Sequence, residues 1–446
     1  MKFSKFGEKL TSDSGILELM DDLGKALASS EKKIMLGGGN PAHIPEVEKI
    51  YREQMENILK DGDRFEKLIG NYSSPEGDGK FIKEFSGMLN ANFGWDLTEK
   101  NICVLGGSQT TFFFLFNLIA GKYSDGSFKK ILLPIVPEYI GYEDQGLQED
   151  YFSSFKPKFN FIDEHTFKYQ IDFSEIDKYF QKSRPRPDRG SKNEDDLLDS
   201  RLRGNDSKDI AAICVSRPTN PTANVVTDEE VEKLISLAEE SKIPLIIDSA
   251  YGAPFPNILF NETKPYYNKN IINVFSFSKI GMPGARTSVI VASEEIIKAL
   301  ASINAIVSLA PSNLGQEIVL DLLKDGELLR ISNEIIRPFY QKRSEEVVEY
   351  FHSVMDSSLP YYLHKSEGAF FLWLWCKDLP IDSYELYKRL KAKGVIVVPG
   401  NYFFAGQKEE WKHMKECLRI SYCQDIELVK EGFRIIAETV KEAYGK

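Results

Sequence analysis

The sequence has little that could cross-link the chain covalently or through a metal. Its five cysteines, Cys103, Cys214, Cys376, Cys417 and Cys423, stand singly with no zinc or redox spacing. An odd, unclustered set argues against a disulfide framework and suits a reducing compartment. The five histidines, His43, His165, His352, His364 and His413, are equally isolated, so no metal site is expected. No apolar run approaches the ~20 residues of a membrane-spanning helix. The opening Met1-Lys2-Phe3-Ser4-Lys5-Phe6 has no apolar leader segment, and a soluble, cytoplasmic protein without a membrane partner is expected. A basic surplus is missing as well: the formal charge of -11 works against nucleic acid or anionic lipid as a partner. The turn Gly106-Gly107-Ser108 is not followed by Gly-Lys-Ser/Thr, which removes the phosphate loop of nucleoside triphosphatases.

What the chain does have is length and alternation. With 446 residues it can bury a large core and divide into two domains. Between about residues 96 and 292, short apolar runs alternate with helical patterns, which predicts an α/β fold: a mostly parallel sheet with helices on both faces. One helix start is well marked, because Thr227-Asp228-Glu229-Glu230 forms a capping box and Val231, Leu234, Ile235 and Ala238 then recur at helical spacing. After Pro311 the pattern changes to a long helix over about 327–355 and shorter strand-like runs at 369–375 and 395–400, which predicts a smaller α+β domain. The expected division is an N-terminal segment, 1–45, packing with the small domain, a large domain over 46–310, and the small domain over 311–446. Residues 183–208 hold few apolar side chains and many charges of both signs, and a mobile surface insertion is expected there.

The chemistry gathers where apolar runs end. Lys279 closes Asn273-Val274-Phe275-Ser276-Phe277-Ser278-Lys279, and Asp248 and Tyr251 lie about thirty residues upstream, after Ile243-Pro244-Leu245-Ile246-Ile247. A lysine amine forms an imine with an aldehyde where its site disfavours the ammonium, as at the end of an apolar strand. A carboxylate that keeps a pyridine nitrogen protonated makes the ring an electron sink, and Asp248 is the candidate. Tyr251 is placed to tune the imine, and Ser276, Ser278 and Arg286 to hold a phosphate. Upstream, Asn101-Ile102-Cys103-Val104-Leu105 runs into Gly106-Gly107-Ser108-Gln109-Thr110-Thr111 and an apolar helix, a strand, glycine turn and helix N-terminus that suits an anion. The strand over 130–136 ends in Pro137-Glu138-Tyr139-Ile140-Gly141-Tyr142, which places Tyr139 to stack on a ring. The strand over 210–215 leads to Asn220-Pro221-Thr222, where Asn220 is a donor for a ring oxygen. Gly37-Gly38-Gly39 is expected near the entrance, where Gly38 and Gly39 leave room for a substrate.

Taken in order, the glycine-serine turn, Pro137-Glu138-Tyr139, Asn220-Pro221-Thr222, Asp248-Ser249-Ala250-Tyr251, Ser276-Phe277-Ser278-Lys279 and Arg286 resemble the fold-type I aminotransferases that use pyridoxal 5'-phosphate. The resemblance covers nearly the whole chain apart from 183–208. It implies that Lys279 bears the cofactor and shuttles a proton, that Asp248 pairs the pyridine nitrogen, and that Tyr251 and Asn220 contact the ring oxygen. By the same resemblance Tyr139 stacks on the ring, while Ser108, Gln109, Ser276, Ser278 and Arg286 contact the phosphate. Tyr72, in Asn71-Tyr72-Ser73-Ser74-Pro75-Glu76-Gly77, matches a tyrosine that reaches the phosphate of the neighbouring subunit, which implies a homodimer. Arg419, in Cys417-Leu418-Arg419-Ile420-Ser421-Tyr422, matches the clamp on the substrate α-carboxylate. Phe3-Ser4-Lys5-Phe6-Gly7, Met35-Leu36-Gly37-Gly38-Gly39-Asn40-Pro41-Ala42 and Ser308-Leu309-Ala310-Pro311 narrow the resemblance to members that pass an amine between an aliphatic amino acid and a 2-oxo acid, with valine, alanine, pyruvate and 2-oxoisovalerate as the implied substrates. One departure is visible: Ala223 stands where the family has glycine, a residue type that adopts positive φ poorly. A lyase acting on the β-carbon with the same residues is the alternative, followed by a ligand-sensing regulator on this fold.

Overall fold

Alternation along the strands splits the interior into two cores. The computed structural model describes residues 1–12, 14–28, 33–182 and 209–446, so the insertion expected over 183–208 lies outside the described residues. In the strand Ile102–Leu105, Ile102 and Val104 join one apolar cluster while Cys103 and Leu105 join the other. Val289 and Val291 divide from Ile290 in the same way in Ser288–Val291, as the two-residue period of a strand requires. One face is covered by the helices Gly79–Phe93 and Leu314–Lys324, the other by Ser108–Ile119, Asp228–Ser241 and Glu294–Val307. Burial on both faces explains why these strands read as continuous apolar runs.

In spatial order this sheet runs Ile102–Leu105, Ser288–Val291, Ile271–Ser276, Leu245–Asp248, Ile210–Ser216, Phe128–Leu133 and Gly121–Lys122, with Phe152–Ser154 also pairing Phe128–Leu133. The four central strands from Ile271–Ser276 to Phe128–Leu133 are mutually parallel, and Ser288–Val291 runs against both of its neighbours. The capping box forms as the sequence predicts: Thr227 Oγ1 accepts from Glu230 N at 3.2 Å and Thr227 N donates to Glu230 Oε2 at 2.9 Å. Val231, Leu234 and Ala238 turn that helix's apolar face to the sheet.

A second sheet runs Val398–Pro399, Cys417–Ser421, Phe371–Cys376, Tyr361–His364, Thr166–Gln170 and Lys158–Phe161. Its last two strands form a hairpin from the middle of the chain, joined in parallel to Tyr361–His364 through Leu363↔Thr166 and His364↔Phe167. The apolar run at 395–400 divides between partners: Val395–Ile396 pairs with Ile34–Met35, and Val398–Pro399 with Cys417–Ser421. The long helix is continuous in direction but changes winding, with a π-helical stretch at Ile331–Ile336 between α-helical Glu327–Arg330 and Arg337–Val354. Pro338 follows that stretch and lacks the N–H an α-helical ladder needs. Among the described residues no helix is long and apolar enough to cross a membrane, and no cluster of three or more His, Cys, Asp or Glu side chains is placed to hold a metal ion.

Candidate active site

Ser216, Asp248 and Ser276 are each the last residue of a parallel strand, and the segments that follow those strands converge on one edge of the sheet, where open α/β sheets bind ligands. Lys279 sits in the 3-10 turn Phe277–Ile280, which Ser276 caps by accepting from Ser278 N at 3.2 Å. Gly107 opens the helix Ser108–Ile119 at φ 93°. A Cβ there would collide with the Arg286 guanidinium, so only glycine lets that cation lie against a helix N-terminus. Together with Ser276 and Ser278, this is a cradle for an anion. Gln109 adds a buried Oε1 that accepts no hydrogen bond among the described residues.

Asp248 is buried, its Oδ2 accepting from the Tyr142 hydroxyl at 2.7 Å and its Oδ1 from Ala250 N at 2.9 Å. Burial pushes its carboxyl up to about 6, against those two hydrogen bonds and the nearby Lys279, which all favour the anion. Lys279 Nζ donates to Gly39 O at 2.6 Å and lies 5.3 Å from the ring centre of Tyr251 and 5.6 Å from that of Phe370. Desolvation pulls its ammonium down to about 8, and Arg419 and Arg286 push the same way while Cys423 and Asp248 oppose. A lysine so placed gives up its proton more readily than an exposed one.

The second sheet contributes Arg419, 2 % exposed, whose guanidinium donates to Asn220 Oδ1 at 2.9 Å and to Gly37 O at 2.6 Å. It lies 4.5 Å from the Phe371 ring and 5.3 Å from the Phe403 ring, and its Nε has no partner among the described residues. Burial lowers its pKa to about 10. A buried cation with a spare donor calls for an anionic ligand such as a carboxylate. Nothing lies within 4 Å of where a Cβ on Gly38 would stand, and a Cβ on Gly39 would be 3.8 Å from Lys279 Nζ. Tyr139 is half-buried at the same edge, packed edge-on against Tyr142 at 5.5 Å.

One chain thus brings together Lys279, Asp248, Tyr251, Asn220, Tyr139, Arg419 and Gly39, with Ser108, Gln109, Ser276, Ser278 and Arg286 at the anion cradle. Tyr72 stands apart, 84 % exposed. Ala223 adopts φ 60° with no exposed surface. The turn closes through Ala223 N to Thr219 O and Thr219 N to Asn224 O, both 2.8 Å, and an L-residue in this region costs ~1–2 kcal/mol. Sequence reasoning passed over Tyr142 and Glu138, although both lie in the segment that supplied Tyr139. The signal available was two tyrosines three residues apart after a strand end.

A cradle for phosphate, a carboxylate for a protonated ring nitrogen and an amine for an aldehyde are the parts of an enzyme that borrows its electron sink from pyridoxal 5'-phosphate. The comparisons with known proteins agree. Residues 173–436 match the family model for aminotransferase class I and II. Over 446 residues, all of this chain and all of the relative, 42% are identical to the valine–pyruvate aminotransferase of Escherichia coli (strain K12). The crystal structure of valine-pyruvate aminotransferase from Salmonella typhimurium LT2 is 39% identical and superposes with a TM-score of 0.82, covering 97% of this chain and 100% of that one. The kynurenine aminotransferase of Pyrococcus horikoshii, 21% identical with a TM-score of 0.76 over 99% and 97% of the chains, shares the fold. The chain belongs to the class I and II aminotransferases, which use pyridoxal 5'-phosphate.

Proposed function

We propose that this enzyme passes the amine of L-valine to pyruvate, yielding 2-oxoisovalerate and L-alanine. The observation that carries the site assignment is Lys279: an enclosed amine with a pKa drawn down to about 8, at a strand end beside Asp248 and within the reach of Arg419's field. The choice of substrates is supported by the relatives at about 40% identity named above. The bound cofactor supplies the electron sink for the pair left when the substrate α-proton departs. Lys279 would hold the cofactor through its aldehyde and, once the substrate amine has displaced it, would carry the proton taken from the α-carbon. Asp248 would pair the pyridine nitrogen, Tyr251 and Asn220 would contact the ring oxygen, and Tyr139 would stack on the ring. Arg419 fixes the α-carboxylate and so orients the bond to the α-hydrogen, while Gly38 and Gly39 leave room for the substrate.

The test is direct: purified protein loaded with the cofactor is given valine and pyruvate, and alanine is followed. Alanine forming at a rate proportional to enzyme supports the reading. Transfer only from other amino donors would overturn the substrates, and β-elimination without transfer would favour the lyase alternative.

We place the working enzyme in the cytoplasm as a homodimer. The five cysteines are all free, which suits a reducing compartment. Tyr72 shares its surface with Ile69, Ile306, Val307 and Leu309, all exposed. The two segments are tied by Asn313 Nδ2 to Asn71 O at 2.9 Å and Asn304 Nδ2 to Pro75 O at 2.9 Å. An apolar patch of this kind, one loop away from the anion cradle strand Ile102–Leu105, fits a second copy that receives Tyr72 at its phosphate.

A further inference from the structure

A second buried carboxyl stands behind the first. Glu138 has no exposed surface. Its Oε1 accepts from Ser216 N at 2.9 Å, and its Oε2 meets the Ser216 hydroxyl and accepts from Tyr139 N at 3.3 Å. Its own N–H donates to Phe403 O at 2.8 Å. Ser216 is the register partner of Asp248 on the adjacent strand, Tyr139 and Tyr142 flank the cofactor-facing edge, and Phe403 is one of the two rings against the Arg419 guanidinium. The Glu138 side chain therefore joins the strand end beside Asp248 to the loop carrying both tyrosines, and its backbone N–H ties that loop to the floor under Arg419.

Resting on the cofactor reading above, we propose that Glu138 is a positioning residue that works as a neutral acid, latching the 137–142 loop to Ser216 so that Tyr139 covers the cofactor ring and Tyr142 holds Asp248. The groups acting on it electrostatically are Asp248, Tyr142 and Cys214, and none is a cation. The Lys279 cation acts on Asp248, whereas the charge felt by Glu138 is that of Asp248, and two carboxylates enclosed so close would repel in a medium that screens poorly. Leaving the proton on Glu138 keeps the single negative charge on Asp248, where the ring nitrogen needs it. Desolvation pushes the Glu138 carboxyl up to about 8, against the hydrogen bonds it accepts from Ser216 and Tyr139.

The test uses the full-length protein carrying Glu138→Gln or Glu138→Ala. Two quantities are read: the affinity with which the stripped protein rebinds pyridoxal 5'-phosphate, and the pH midpoint of the bound chromophore's absorbance. Gln, neutral and of the same shape, should rescue both quantities to within about 2-fold of wild type, while Ala should weaken cofactor binding by ~10-fold or more, the size of a lost buried hydrogen-bonding group. Should the Ala protein not fold, Ser216→Ala removes only the hydroxyl on Oε2 and should weaken rebinding by several-fold. A Gln variant as impaired as Ala or Ser216→Ala would show that the charge is needed, and full affinity in Ala or Ser216→Ala would show that the latch does nothing; either overturns the proposal. A wild-type protein that forms no lysine-bound chromophore would instead remove the cofactor reading on which it rests.

Discussion

At Asp248 and Lys279, burial acts on opposite charges to the same end. It raises the acid to about 6, against the carboxylate that the ring nitrogen needs, and lowers the amine to about 8, toward the free base. Asp248→Asn should therefore keep much of the cofactor yet lose ~100-fold or more in kcat, because a neutral partner no longer holds the pyridinium proton; near-normal turnover would remove its role. The Tyr142 hydroxyl lowers the Asp248 carboxyl, so Tyr142→Phe should raise it and move the acidic limb of kcat/KM against pH upward. An unmoved limb would show that Tyr142 does not act on Asp248. Glu138 and Asp248 both bind protons more tightly folded than unfolded, their ordinary values being 4.5 and 3.8 against about 8 and about 6. The cofactor-free protein is then most favoured below pH ~4 as far as these groups go, and loses that contribution as pH rises through 6 and 8, by up to about 1.4 kcal/mol per pH unit for each. Urea denaturation of cofactor-free Glu138→Gln should show a weaker fall between pH 5 and 8 than wild type, and an unchanged slope would contradict the shift. Lys279 and Asp248 stood out in the sequence through the ordered set of motifs they belong to, and the structure brings the two near each other. Tyr142 did not stand out, since its partner lies 106 positions away and a tyrosine after a strand is an ordinary event.

Among the elements, those fixed by local pattern were legible and those fixed by distant pairing were not. The capping box at Thr227 and the apolar strands ending at Asp248 and Ser276 follow from spacing alone. The run at 395–400 reads as one strand, yet its halves pair with 34–35, at the far end of the chain, and with 418–419, just downstream, a choice that the run's own pattern does not carry. The hairpin at 158–170 has the same origin: it enters the second sheet by pairing with Leu363 and His364, far away in the sequence. The π-helical stretch before Pro338 arises from a hydrogen bond that proline cannot make. Ala223 is a place where local chemistry opposes the turn, as Arg286, Leu309 and Ala369 also are in the left-handed region. Ala223→Gly relieves the left-handed backbone but frees the unfolded chain, so stability should rise by up to about 1 kcal/mol or stay level. A fall of more than about 1 kcal/mol in thermal or urea unfolding would mean that the methyl group's packing outweighs the strain.

For the whole molecule, the site is assembled from both sheets and, on the reading above, from two chains. Arg419 reaches from the second sheet to Asn220 and Gly37, while Tyr72 is exposed. Mixing inactive Tyr72→Phe chains with inactive Lys279→Ala chains under conditions of subunit exchange should restore activity, because each mixed dimer holds one site with both residues intact. A fully active monomer in sedimentation at assay concentration would contradict the shared site. The account as a whole stands on Lys279. Reduction of the cofactor-loaded enzyme with borohydride, followed by digestion and peptide mass mapping, should place the pyridoxyl group on the peptide bearing Lys279, and Lys279→Ala should carry none; label on a different lysine, or an unlabelled but active enzyme, would contradict it.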